Sequence, residues 1–304
     1  MNKVLKWIGI ILAGLVGSIV VAALMVIATA SSKINQNYDV PVAVVAIPDD
    51  EAAIARGEHL VLAIAGCTEC HGDNLGGMLL VDDPIIGTFY GPNLTAGAGG
   101  AGAHFSEADW VRAIRHGVGT DGKPLLLMPS NAYHSLPDED LGAILAYLQS
   151  LEPVDNEVPE QRIGPLGYAM VLMEPVVVPA AQIDHTAPPA TAVEPGVTTE
   201  YGQYLVDIGH CRSCHGEELN GKPPAAGLDQ PPARNLTPAG QLAGWSEADF
   251  IQTIRTGITP GGHTLREPMT SALVVLQRQT DDELRAIFLY LQSLPPRENG
   301  YESQ

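Results

Sequence analysis

Two short segments of the sequence place two thiols and one imidazole at a fixed spacing. Residues 67–71 read Cys-Thr-Glu-Cys-His, and residues 211–215 read Cys-Arg-Ser-Cys-His. Two thiols three positions apart lie on the same side of one helical turn, where both reach the two vinyl groups of a single haem. The histidine that follows is then placed below the iron as its proximal ligand. The pattern therefore predicts covalent attachment of c-type haem.

The two motifs use every cysteine of the chain: Cys67, Cys70, Cys211 and Cys214. A single copy of the motif is also compatible with a redox-active dithiol, with half of a zinc site, or with chance. Two copies that leave no cysteine for disulfides or for a zinc site favour haem instead. We therefore predict two haem c groups, with His71 and His215 as the proximal iron ligands.

The N-terminus predicts the cellular compartment. Lys3 and Lys6 are followed by residues 7–27, which carry no charge and are long enough to cross a bilayer core as a helix. Lysines before such a segment keep the N-terminus in the cytoplasm and place the acidic body on the other side. Residues 28–30 (Ala-Thr-Ala) also fit a signal-peptide cleavage site, so a cleaved leader is the alternative to an anchor. In both cases the body is expected on the periplasmic side of a bacterial inner membrane.

An internal repeat with a period of about 142 residues organises the exported body. Residues 105–110 (Phe-Ser-Glu-Ala-Asp-Trp) match residues 245–250 (Trp-Ser-Glu-Ala-Asp-Phe), and residues 146–151 match residues 289–294. Each copy carries one haem motif near its front, which predicts two homologous haem domains. The predicted parts in chain order are an anchor 1–30, a tether 31–49, the first domain 50–153, a proline-rich connector 154–198, the second domain 199–296 and a tail 297–304.

Composition narrows the classes of function. The net charge of −19 disfavours nucleic acid and anionic surfaces as ligands of the body, because both repel an acidic protein. The same charge suits docking to basic patches on redox partners. Aromatic residues are only 5% of the chain, a shortage that a large apolar cofactor in each domain offsets. The sequence has no phosphate-binding glycine loop, nicotinamide fingerprint or Ser-His-Asp set.

Helical signals dominate both copies of the repeat. Ser106 and Ser246 are predicted N-caps, each followed by acidic residues in the first turn and by apolar residues at helical spacing. Residues 50–65 are periodic and lead into the first haem motif. Acidic turns at residues 138–140 and 281–283 open the last helix of each copy. No segment alternates like a strand for long, so the predicted fold class is all-α.

One methionine in each copy is placed to bind the distal face of the iron. Met269 is the only methionine after His215, and it aligns with Met128 of the first copy. Both are predicted in a loop before the last helix, from which a side chain can reach over the haem. A methionine is more often core than ligand, but the alignment favours ligation here. The competing distal ligands are His134 and His263.

Both halves resemble class I cytochrome c domains, and the whole chain resembles the cytochrome c subunits of membrane-bound bacterial dehydrogenases. The resemblance rests on the haem motifs, residues 87–95 (Gly-Thr-Phe-Tyr-Gly-Pro-Asn-Leu-Thr), Met128-Pro129 and the Tyr-Leu-Gln-Ser-Leu endings. It covers residues 50–153 and 199–296. The fold it implies is all-α, with tandem class I cytochrome c domains after an N-terminal transmembrane helix.

The resemblance also assigns structural roles. In that fold the first and last helices of a domain cross with a glycine against an aromatic ring. Two pairs fit this crossing: Gly57 with Tyr147, and Gly202 with Tyr290. A proline carbonyl that orients the proximal imidazole matches Pro92 in the first copy. The second copy has Arg234 at that place, which makes Arg234 a candidate for contact with a haem propionate instead.

The resemblance implies an electron carrier rather than an enzyme. Electrons from a partner dehydrogenase or a quinol-oxidising complex would enter one haem, cross to the other, and leave to a soluble cytochrome or an oxidase. The alternative is a di-haem cytochrome c peroxidase, which needs one iron with an open distal position, as does a ligand sensor. Two aligned methionines favour the carrier. The other histidines are expected in surface or packing roles: His59, His104, His116, His185 and His210.

Overall fold

The computed structural model describes residues 3–40, 42–173, 177–224 and 230–301. Residues 1–2, 174–176 and 302–304, which are parts of the predicted anchor, connector and tail, lie outside the described residues. The described chain is mostly helical, as predicted, and consists of a long N-terminal helix and two bodies that repeat one arrangement of helices.

The helices in chain order are α1 Lys3–Ile34, α2 Glu51–His59, α3 Thr68–His71, α4 Glu107–His116, α5 Ser130–Tyr133, α6 Asp138–Ser150, α7 Pro165–Met173, α8 Thr199–Ile208, α9 Cys211–His215, α10 Glu247–Thr256, α11 Met269–Leu276 and α12 Asp281–Ser293. The strands are β1 Met78–Asp83, β2 Gly87–Gly91 and β3 Arg162–Ile163. A π-helical turn at Leu60–Ile64 continues α2 toward the first haem motif, a local irregularity that often marks functional sites.

The long helix α1 has the properties of a membrane span. Its most apolar window has a mean hydropathy of 2.9, and none of that window is buried inside the protein. A surface this apolar is stable next to lipid and costly next to water. Among the described residues no other helix is both long and apolar enough to cross a bilayer.

Local signals in the sequence set the helix ends in both copies. Ser106 and Ser246 are N-caps, and each forms a reciprocal capping box, with Asp109 and Asp249 respectively. The helix α4 ends at Gly117, whose φ of +63° is in the left-handed region that glycine adopts without strain. Both predicted N-caps are confirmed.

Each copy is held together by a close crossing of its first and last helices. A Cβ placed on Gly57 would lie 1.9 Å from the carbonyl oxygen of Ala143 and 3.0 Å from the Cβ of Tyr147. The crossing of α8 with α12 is equally tight, since a Cβ on Gly202 would lie 1.9 Å from the carbonyl oxygen of Ala286. The glycine crossings that the resemblance implied are therefore present in both copies.

A small sheet departs from the strictly helical prediction. The strands β1 and β2 pair antiparallel, with Met78 opposite Gly91 and Asp83 opposite Gly87, and β3 of the connector pairs with β2. No side chain of β1 is buried, and β1 shows no alternation of buried and exposed residues. The strand β2 does alternate, but two of its three buried positions are glycines, so no run of alternating apolar side chains marks a strand in the sequence.

One continuous hydrophobic core joins the two copies. The π-helical turn supplies Leu60 and Ile64, and α8 supplies Leu205 and Ile208, all at most 2% exposed. Such burial is the main stabilising contribution to folding. The two copies are therefore packed together as one body.

Equivalent acids of the repeat bridge the two copies. Arg56 of the first copy binds the Asp140 carboxylate through two hydrogen bonds of 3.0 and 3.1 Å, and the Tyr204 hydroxyl of the second copy donates to the same carboxylate. Glu283 occupies the place of Asp140 in the second copy, and its Oε1 lies 2.7 Å from Nε2 of His59 in the first. Each acid therefore links the copies through polar contacts at the rim of the shared core.

We expect Glu283→Gln to weaken the contact between the copies. Burial raises the pKa of Glu283, but hydrogen bonds from His59 and Thr280 lower it by more, so the pKa lies below its ordinary value. The stability from this carboxylate is thus present above about pH 4.3 and is lost as the pH falls further. At neutral pH the variant should lose about 1.5–3 kcal/mol of unfolding free energy, the range for hydrogen bonds to a charged group.

Urea unfolding at neutral pH and below the Glu283 pKa measures this effect. Glutamine can keep the capping box at the start of α12, so the substitution tests the contacts of Glu283 Oε1 with His59 and with the Tyr201 hydroxyl. The matched control is Asp282→Asn, whose carboxylate is exposed and pairs with Arg285 on the surface. An equal loss in both variants, or a loss that persists unchanged at low pH, would contradict the assignment.

Candidate haem-binding sites

Both haem motifs form single helical turns, as their spacing predicted. Cys67 caps α3, and the backbone N–H of His71 donates to the Cys67 carbonyl oxygen at 2.9 Å. Gly66, with a φ of +65°, turns the chain from the π-helical segment into this turn. The second motif is the whole of α9, which follows His210 in the left-handed region at a φ of +42°. In both motifs the two cysteines thus lie one helical turn apart, as haem attachment requires.

Backbone carbonyls orient the two imidazoles that are predicted to be proximal ligands. Nδ1 of His71 lies 2.8 Å from the carbonyl oxygen of Pro92, and Nδ1 of His215 lies 2.8 Å from that of Arg234. A carbonyl only accepts, so Nδ1 carries the proton and Nε2 keeps its lone pair. Burial lowers the pKa of both imidazoles more than the carbonyl contact raises it, which keeps them neutral. Both histidines are therefore prepared to bind iron through Nε2.

In the second copy the His215 imidazole is oriented without a proline. The Arg234 backbone carbonyl does what the Pro92 carbonyl does, at the same distance. The departure from proline therefore leaves the second pocket intact, because only the main chain is used. Among the described residues, no contact gives the Arg234 side chain a part in orienting His215.

Replacing the Arg234 side chain should consequently have little effect on the orientation of His215, whereas its contact with a haem propionate stays a prediction. We expect Arg234→Ala to keep the EPR g-values of the ferric haem, which depend on the orientation of the axial ligands. The His215→Ala variant is the positive control, since it removes the imidazole itself. Loss of the low-spin signal in Arg234→Ala would show that the side chain, and not the carbonyl, holds the histidine.

The surroundings of the cysteines disfavour dithiol redox chemistry. No disulfide pairs any of the four. Burial raises the pKa of Cys67 and of Cys211 to about 12. Disulfide exchange needs the thiolate, which this burial disfavours. Within the described part of the chain, no three His, Cys, Asp or Glu side chains are grouped closely enough to hold a metal ion.

The two predicted distal ligands occupy similar but not identical positions. Met128 lies in the loop directly before α5, after Leu127 in the left-handed region, and packs against the shared core. Met269 is the first residue of α11 and not part of a loop, which corrects the prediction for the second copy. The apolar run from Met269 onward is long enough to form a helix after Pro268. Both methionines are partly buried in the core cluster.

The competing histidines differ from each other. His263 is exposed, on a turn closed by pairing of Ile258 with Thr264. His134 is partly buried, and its Nδ1 donates to the Arg115 carbonyl oxygen at 3.1 Å. Its Nε2 is buried without a hydrogen-bond partner among the described residues. His134 therefore stays an alternative distal ligand in the first copy. In the second copy, the exposure of His263 disfavours it as a ligand.

The segments that enter the two haem motifs touch each other, which the sequence did not predict. The Ala65 carbonyl oxygen, two residues before Cys67, accepts a hydrogen bond of 2.6 Å from the Tyr133 hydroxyl, and the His210 side chain lies close to the same carbonyl. His210 directly precedes Cys211, and its ring packs edge-on against Tyr133 with 6.3 Å between centroids. The two attachment sites are therefore neighbours across the contact between the copies. No sequence signal reports such a long-range contact.

Two family models match the chain, one in each copy of the repeat. The model described as cytochrome C oxidase, cbb3-type, subunit III matches residues 52–148. The model described as cytochrome c matches residues 199–295. Each copy is thus a cytochrome c-type domain, and two such domains correspond to two haem c groups.

Curated relatives are named as cytochrome subunits and as a di-haem cytochrome. The fructose dehydrogenase cytochrome subunit of Gluconobacter japonicus is 30% identical over 270 residues, covering 81% of this chain and 53% of the relative. The gluconate 2-dehydrogenase cytochrome c subunit of Pantoea cypripedii is 31% identical to this chain, and the match covers 62% of that relative. The diheme cytochrome c-type protein of Cereibacter sphaeroides is 27% identical, with 79% of this chain and 86% of the relative covered. The chain thus spans little more than half of the first relative's length.

Proposed function

We propose that this chain, which has two cytochrome c-type domains, is a membrane-anchored electron carrier with one haem c in each domain. The observation that carries the proposal is the contact of Ala65 with Tyr133 and His210, which brings the two attachment motifs together. Haem c supplies reversible one-electron chemistry when it is bound. Two such groups side by side can pass an electron from one domain to the other within one molecule.

The residues of the chain have separate tasks in this proposal. Four cysteines attach the haems: Cys67, Cys70, Cys211 and Cys214. His71 and His215 bind the iron from the proximal side, and Met128 and Met269 close the distal side against water. With a protein ligand on each face of the haem, the iron would keep the same coordination in both oxidation states. Little structural rearrangement would then oppose electron transfer. The same closure disfavours a peroxidase, which must admit peroxide to one iron.

The electron donor is proposed to be a dehydrogenase, in line with the names of the relatives. A quinol-oxidising complex is the other source, and a soluble cytochrome or an oxidase is the acceptor. The net charge of −19 suits docking to partners with basic surfaces, because opposite charges steer the encounter.

The location we propose is the bacterial inner membrane, with one span and with both domains on the periplasmic side. Lys3 and Lys6 precede the apolar part of α1 and favour a cytoplasmic N-terminus. The competing leader would be cut at residues 28–30, but this stretch is helical, and Ala30 is completely buried against the body. An uncleaved helix keeps this contact with the body, whereas a cleaved leader would lose it, so the packing favours the anchor.

Optical spectroscopy of the purified full chain tests the proposal. Both ferric haems should show the methionine–iron charge-transfer band, and neither should react with peroxide or with carbon monoxide. A haem that binds peroxide after half-reduction of the protein would favour the peroxidase. Absence of the band from one domain would refute methionine ligation there.

A further inference from the structure

The connector helix α7 packs against the outer end of the membrane helix α1. The contact is a separate hydrophobic cluster in which Ala30 of α1 and Val171 of α7 are 0% and 4% exposed. Ile34, the last residue of α1, packs against the same cluster. Ala30 and Ile34 are four residues apart and so lie on one face of the helix. This face of α1 is covered by protein, whereas the preceding turns are not.

The length of α1 places this contact at the membrane boundary. A bilayer core about 30 Å thick takes about 20 helical residues, which is the stretch from Trp7 to Val26 if the tryptophan marks the inner interface. Ala30 and Ile34 then lie about 6–12 Å beyond the core, at the level of the lipid headgroups. The helix α7 is consequently held at that same level.

The side of α7 that faces away from the body is apolar and uncovered. Leu166 is 46% exposed and Met173 is 62% exposed, and the nine residues of α7 carry no charge. Ile85, in the turn between β1 and β2, is 58% exposed. Its carbonyl oxygen accepts a hydrogen bond of 2.9 Å from the Leu166 backbone, so the two side chains are neighbours. An apolar surface continuous with a membrane helix is suited to lipid.

We propose that α7 and the β1–β2 turn form a second membrane contact, in which the side chains of Ile85, Leu166 and Met173 reach from the level of the headgroups toward the acyl chains. The contact rests on the proposed anchor and goes beyond it, since it fixes how the first domain is oriented. Lys33 and Arg162 flank the surface and are exposed, in positions to meet lipid phosphates.

The proposed contact places the first domain, and not the second, at the membrane. The Leu127 backbone N–H donates to the Val177 carbonyl oxygen at 3.1 Å, just after α7, and Leu127 packs in the same cluster as Ala30. The next residue is Met128, the proposed distal ligand. The distal side of the first haem is therefore held close to the lipid surface.

Thiol labelling of the full chain in phosphatidylcholine nanodiscs, one chain per disc, tests this contact. Haem attachment consumes the native thiols, so an engineered cysteine is the only free one. The test variants are Leu166→Cys and Met173→Cys, and the reagent is a charged, water-soluble maleimide. Ile258→Cys is the matched control, because Ile258 is 48% exposed and lies in the second domain. Leu15→Cys reports on the anchor.

Leu166→Cys and Met173→Cys should react at least about tenfold more slowly than Ile258→Cys, which is the effect of a one-unit rise in thiol pKa. Equal rates in the three variants, with Leu15→Cys protected, would overturn the lipid contact and leave the anchor standing. A reactive Leu15→Cys would overturn both. Protection that appears only when discs hold several chains would assign the surface to a second copy instead. Unchanged spectra of both haems verify that each variant is folded.

Discussion

Replacing Met128 with alanine should lower the reduction potential of one haem, open its distal face, and leave the other haem unchanged. Methionine is a poor donor to ferric iron and raises the potential, so its loss stabilises the oxidised state. The shift should be a substantial fraction of the ~0.8 V over which axial ligands set haem potentials. Potentiometric titration with optical detection measures both potentials in one sample.

The chain offers matched controls for this prediction. Met269→Ala should produce the mirror-image result, and Met173→Ala, on the exposed end of α7, should change neither potential. Equal disturbance of both haems by Met128→Ala, or no disturbance, would contradict the ligand assignment. If His134→Ala opens the first haem while Met128→Ala does not, the buried Nε2 of His134 is the ligand.

Replacing Gly57 with alanine should severely destabilise the first domain. The new Cβ would lie 1.9 Å from the carbonyl oxygen of Ala143, and a backbone atom has no rotamer by which to move away. Overpacking of a core costs about 1–3 kcal/mol, and a backbone clash belongs at or above the upper end. The helices α2 and α6 would have to separate, which also disturbs the π-helical turn that leads to Cys67.

Chemical denaturation followed by helix content and by haem absorbance measures this loss. Gly202→Ala should cost a similar amount, because its Cβ would meet the Ala286 carbonyl oxygen at the same distance. The control is Gly196→Ala, where the nearest atom is 4.0 Å away, and it should be close to neutral. A small effect of Gly57→Ala, comparable to that of Gly196→Ala, would show that the crossing is looser than described.

The features that could be predicted from the sequence are those encoded by neighbouring residues or by the repeat. The capping boxes at Ser106 and Ser246 depend on residues three positions apart, and the haem motifs depend on one helical turn. The glycine crossings followed from the resemblance of both halves to one fold. Each of these features depends on residues within a short segment or on a pattern that occurs in both copies of the repeat.

The features that escaped prediction depend on contacts between distant segments. The pairing of β2 with β3 joins residues far apart in the chain, with Gly87 opposite Ile163 and Thr88 opposite Arg162. The packing of α7 on α1 joins the connector to the N-terminus, and the contact of Ala65 with His210 joins the two domains. The role of the Arg234 carbonyl was hidden because a main-chain acceptor leaves no trace in residue identity.

Pulsed photoreduction of the full chain tests most directly whether electrons pass between the two domains within one molecule. In the Met128→Ala variant the first haem should have the lower potential, so electrons that arrive there should move to the second haem. Transfer between the two haems should be first-order, with a rate constant that stays unchanged when the protein is diluted. A rate that falls in proportion to dilution would mean exchange between molecules and would contradict the carrier proposed here, as would a haem that never receives an electron.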